Sequence, residues 1–114
     1  MITRTTTDSE PVSANKYETH GNKVLIAEDS LPPSAKYEVL SQIEVGMARY
    51  GSVKTVYQLM ARKARALGAD AVVEVKTWHQ PSGWSWSAPH GSGKAIKVLD
   101  NSTVDLSTLK GEWY

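Results

Sequence analysis

Residues 52–77 read SVKTVYQLMARKARALGADAVVEVKT, and the period of their apolar side chains changes once along that stretch. Val53, Val56, Tyr57, Met60, Ala64 and Leu67 recur at three- and four-residue steps, which places them on one stripe of a 3.6-period helix. Lys54, Gln58, Arg62 and Arg65 fall on the opposite side. Ser52 is suited to N-cap the helix, because its hydroxyl can accept a backbone N–H of the first turn. The capping box is incomplete, since no Glu or Gln stands at the third helical position. Gly68 ends the helix, being the one residue that enters the left-handed region without a Cβ penalty. Beyond it Ala71, Val73 and Val75 alternate with Val72, Glu74 and Lys76, the period-two pattern of a strand. A helix that drops into such a strand needs a sheet to lie on.

Working outward, residues 37–45 also alternate, with Tyr37, Val39, Ser41, Ile43 and Val45 on one side and Glu38, Leu40, Gln42 and Glu44 on the other. A short apolar run at residues 24–27 predicts an earlier strand, stopped by Pro32 and Pro33, which cannot donate to a ladder. Residues 94–99 predict a last strand. Between it and the strand at 71–78 lies a Gly-, Pro- and Ser-rich stretch that reads as a long hairpin loop carrying Trp84 and Trp86, with Trp78 before it. The expected fold is α+β, with one helix packed on a four-stranded sheet in the order strand-strand-helix-strand-strand. Residues 1–22, rich in Thr, Ser, Asn and charge, read as a flexible arm, residues 23–99 as the domain, and residues 100–114 as a polar tail. The helix can cover one sheet face. Leu40 and Val72 on the other face are then either wetted by polar neighbours or buried by self-association.

The chain has 114 residues, enough for one domain with a modest core. A net charge of +1 supplies no global field toward nucleic acid or membrane. Cysteine is absent, which excludes disulfides, thiolate metal sites and a cysteine nucleophile. No apolar run approaches the roughly 20 residues needed to span a bilayer. Residues 1–22 lack a signal peptide's apolar core, so a cytoplasmic location is expected.

Residues 64–73, ARALGADAVV, resemble the central signature of the YbjQ-type proteins, a family labelled heavy-metal-binding. Residues 37–46 and the strand GKAIKV at 93–98 are similar to the same pattern, and residues 31–46 are similar to short envelope-lipoprotein relatives. The resemblance implies a compact α+β fold and assembly into a homo-oligomer, a pentameric ring in YbjQ-type members. It carries no catalytic residues. The chain departs from the pattern in a shorter segment before the helix and in its tryptophan-rich loop.

Four constellations bear on function. His79 and His90 flank the loop, and a hairpin could bring them toward one divalent metal. Such a site usually takes three or four protein ligands, and no Asp or Glu lies in the loop, so solvated histidines are the favoured reading. Trp78, Trp84 and Trp86 could stack on a ligand or pack across a subunit boundary, the second being favoured. Lys54, Arg62 and Arg65 stand on a helix with no acidic residue between Ser52 and Leu67. A phosphate or nucleic-acid surface would use them so, although the small net charge favours a solvated face. No nucleophile elbow, phosphate loop or H-E-x-x-H motif is present, so a non-enzyme is expected, with no obligate cofactor. The sequence thus favours a homo-oligomeric binding or scaffold protein recognising through residues 78–90. The alternative is a small-ligand or metal-ion binder using His79 and His90 with Trp84 and Trp86.

Overall fold

The helix forms as its sequence requires. A computed structural model describes residues 5–14, 17–47, 52–82 and 85–114, the side chains of 5–10, 47, 80–82 and 85–87 excepted. Within it helix α1 spans Val53–Leu67, and the Ser52 hydroxyl accepts the Thr55 N–H at 3.3 Å. Gly68 takes φ +78° and sends its N–H to the carbonyls of Ala64 and Arg65. Five further segments precede or follow α1 as strands: β1 Thr5–Pro11, β2 Leu25–Ile26, β3 Lys36–Met47, β4 Ala71–Ser82 and β5 Ser85–Asp100. A two-residue strand β6, Glu112–Trp113, comes last, after a single 3-10 turn at Leu106–Thr108.

All six strands join one mixed sheet in the order β1-β3-β5-β4-β2-β6. The α+β class with one helix is as expected, whereas the four-stranded sheet is corrected to six strands. Both additions lie where the sequence lacks apolar alternation. β1 pairs antiparallel with the far half of β3, from Thr5 opposite Met47 to Pro11 opposite Ser41, within the stretch read as a flexible arm. β6 pairs antiparallel with β2, within the stretch read as a polar tail. β3 and β4 run parallel, but β5 lies between them and is antiparallel to both, so the helical connection spans an inserted strand. The expected tryptophan loop is largely strand as well. Gly91 and Gly93 answer to packing rather than to turns, since a Cβ on Gly91 would lie 2.6 Å from Val56 Cγ1 and one on Gly93 2.6 Å from Val72 Cγ1.

Two β-bulges decide which side chains meet the helix. The β3–β5 register shifts between Val39 and Ser41, and the β4–β5 register shifts between Val73 and Lys76. At the second, Glu74 takes φ +52°, the left-handed backbone that bulges often contain. Each extra residue reverses the alternation. Tyr37, Val39, Ala71 and Val73 therefore face one way, while Ile43, Val45 and Val75 join Leu40 and Val72 beneath Val56, Met60, Ala61 and Ala64 of α1. Leu40 (5% exposed) and Val72 (0%) are thus corrected from an oligomer face to the core under the helix. The other sheet face is not bare either. Leu25, Ala71, Val73, Ile96 and Val98 are covered there by Leu31 and by Val104, Leu106 and Leu109 of the C-terminal segment. Val104, Leu106 and Leu109 are partly buried, each gaining a fraction of the about 1.5–3 kcal/mol of full burial, so the segment read as polar packs against the core.

Candidate anion-binding groove

Steps of four and then three along α1 set Lys54, Gln58, Arg62 and Arg65 on one stripe. Lys54 and Arg62 are exposed and Arg65 is half-buried. The structure gives this stripe a facing wall. Tyr114 N–H donates to the Val24 carbonyl at 3.1 Å and its own carbonyl accepts Val24 N–H at 2.8 Å, extending the β2–β6 pairing. That carbonyl also accepts from Arg65 Nη1 at 2.8 Å, tying the strand end to the helix. The rings of Tyr57 and Tyr114 meet with centroids 5.8 Å apart. The Tyr114 hydroxyl donates to the Glu112 carboxylate, and that hydrogen bond, helped by burial and the nearby negative charge, pushes its pKa up to about 12.

Between the stripe and the wall lies a cavity of about 570 Å³ lined by Lys23, Lys54, Gln58, Arg62, Arg65, Trp113 and Tyr114. Four cationic side chains converge on it, and none of the lining side chains is acidic. Like charges so placed repel each other, and an anion entering the groove relieves that repulsion while being held by it.

A larger cavity of about 870 Å³ shares two of these residues, Lys23 and Trp113. Its remaining wall is mixed in polarity and includes Asp70, Asn101, Asp105 and Ser107. Asp70 accepts from Val98 N–H at 2.8 Å and from Lys97 Nζ at 3.4 Å. Asp105 accepts from the Ser107 N–H and hydroxyl at 3.0 and 2.6 Å, which holds its carboxyl below the usual range. His20, on the same wall, sits against the Ala69 carbonyl through Nε2 and accepts the Asn22 N–H at Nδ1. That pattern fits the tautomer with hydrogen on Nε2.

The residues singled out by sequence separate into two groups. Lys54, Arg62 and Arg65 come together in the groove. His79 and His90 do not converge. Trp78 is paired with His90 across the β4–β5 ladder and their rings stack with centroids 6.0 Å apart at 14°, while His79 is opposite Pro89. Neighbours along a strand face opposite sides, so His79 and His90 point to different faces and cannot share a cation. Trp84 and the side chain of Trp86 lie outside the described residues. Among the described residues no group of three His, Asp or Glu is placed to hold a metal ion. Nor is any helix among them long and apolar enough to cross a membrane. Sequence reasoning missed Lys23, Trp113 and Tyr114, because β2 and β6 are two residues each and too short to show a period. No protein-family model matches the chain, and neither a curated protein nor a solved structure matches it. The likeness of residues 64–73 to the YbjQ-type signature therefore stands on those residues alone.

Proposed function

We propose that this chain is a non-enzymatic binding protein whose groove between α1 and β6 holds a phosphate-bearing anion. The observation that carries the reading is the convergence of Lys23, Lys54, Arg62 and Arg65 on one cavity with no acidic side chain in its lining. A solvated face would spread its cations outward. Here they share a concave space closed on the far side by Trp113 and Tyr114. Calorimetric titration of inorganic pyrophosphate at low and high salt tests it. Binding should weaken with salt, because exposed charges are screened over roughly 10 Å at 0.1 M. Lys54→Ala and Arg62→Ala should each lower affinity by roughly tenfold, the order expected for a charge-assisted hydrogen bond. Absence of binding at low salt would overturn the reading.

A second reading, a homo-oligomeric scaffold meeting a second copy through the β4–β5 hairpin, is favoured by one feature. The hairpin runs on past the Val56–Gly91 contact with the helix in a molecule 48 Å long and 22 Å thin, and the half-buried Trp78 stacks on His90 on its outer side. A single mass in light scattering at every concentration, equal to one chain, would remove it.

A further inference from the structure

Trp113 is shared by the basic groove and the larger polar cavity, as is Lys23. It is 41% exposed although it sits in a strand, fixed opposite the buried Leu25 by the β2–β6 pairing. An indole placed between a cationic space and a polar one is arranged for a ligand that is anionic at one end and aromatic and hydrogen-bonding at the other. We infer that the ligand is a nucleotide: its phosphates lie on Lys54, Arg62 and Arg65, its base lies against Trp113, and its nucleoside reaches Asn101 and Ser107 in the larger cavity. This rests on the anion reading above and adds the ligand's chemical class to it.

The chemistry on each side fits. Flat aromatic bases stack on indole regardless of their identity. The second cavity supplies the carboxamide of Asn101, the hydroxyl of Ser107 and the carboxylates of Asp70 and Asp105, groups that meet ribose hydroxyls and base edges. Cations are confined to the first cavity apart from Lys23 at the junction and Lys97, which is paired with Asp70. The carboxylates of the second cavity would repel phosphate, so the ligand can be seated in one direction only. A long nucleic acid needs a continuous basic track, and a chain of net charge +1 with four of its thirteen Lys and Arg side chains at this groove does not favour one.

The test titrates the full chain with inorganic pyrophosphate, ADP and adenosine by calorimetry, with intrinsic fluorescence followed in parallel. ADP should bind more tightly than pyrophosphate by about tenfold or more, the stacking increment expected for one base. Trp113→Ala should remove that advantage, lowering ADP affinity by about tenfold more than it lowers pyrophosphate affinity, while Trp113→Phe should keep most of it. Should the alanine variant disturb β6, Asn101→Ala, at an exposed position, provides an independent arm: it should weaken ADP and spare pyrophosphate. Equal affinities for ADP and pyrophosphate, indifferent to both substitutions, would overturn the nucleotide inference and leave the anion groove standing. Loss of all three titrations overturns both. Binding confined to phosphatidylglycerol vesicles or to a long oligonucleotide would overturn the nucleotide assignment in favour of that surface.

Discussion

Gly68 shows how one residue holds two parts of the molecule together. Its φ of +78° ends α1, and the space a side chain would need is already filled: a Cβ there would lie 2.6 Å from Tyr17 Cβ and 2.8 Å from the Glu18 carbonyl oxygen. The left-handed conformation costs an L-residue about 1 kcal/mol, and overpacking adds about 1–3. Gly68→Ala should therefore lower unfolding free energy by roughly 2 kcal/mol or more in chemical denaturation. A change below about 0.5 kcal/mol, ordinary for a surface substitution, would show that residues 17–20 do not pack there. The glycine stop was legible in the sequence because helix termination is local. The segment packed on it was not, since nothing near Tyr17 records that residue's hydrogen bond to Glu38 (2.9 Å) or the nearness of Lys97 Nζ, 5.7 Å from its ring centre. The same hydrogen bond, together with burial and the carboxylate's charge, raises the Tyr17 pKa.

At the scale of elements, periodicity found α1 and the central parts of β3, β4 and β5, yet it failed at the bulges. Nothing in KYEVLSQIEV or AVVEVKT announces an extra residue, and Glu74 is not a residue type that favours positive φ. A strict alternation therefore assigned Leu40 and Val72 to the wrong face. The C-terminal segment was misread for a different reason. Its three apolar contacts, Val104, Leu106 and Leu109, are dispersed among Asp, Ser and Thr, whose role is to fold two short turns. In these turns Asp100 accepts from Ser102 and Asp105 from Ser107, and both carboxyls are held below their usual pKa by those bonds. A depressed folded-state pKa means stabilisation that is present above the unfolded value, roughly 3.9, and is lost as pH falls through the folded one. Acidification below about pH 4 should thus loosen this segment first. Methyl resonances of Val104, Leu106 and Leu109 should move toward random-coil positions while those of Val56 and Met60 hold. Unmoved tail methyls at pH 2 would contradict the assignment.

Across the whole molecule, the candidate site is built from three separate regions of chain: Lys23 ahead of β2, the outer stripe of α1, and the end strand β6. The helical third could be read from spacing, and the remainder required the sheet order. One consequence of that order concerns time rather than stability. Among the described strands only β4 and β5 are joined by a hairpin; the pairings of Lys36 with Asp100 and of Leu25 with Trp113 each close a loop across most of the sequence. Helix α1 and the hairpin can form within microseconds, but β2 must find β4 across the helix, pairing Leu25 with Ala71, and β6 has nothing to pair with until β2 is in place, which puts folding in the millisecond-to-second range. The groove is therefore the last part of the protein to exist. A newly made chain has its basic helix before it has a site, and a ligand that seats against β6 would act on the final step, as the clasp that keeps an assembled chain closed.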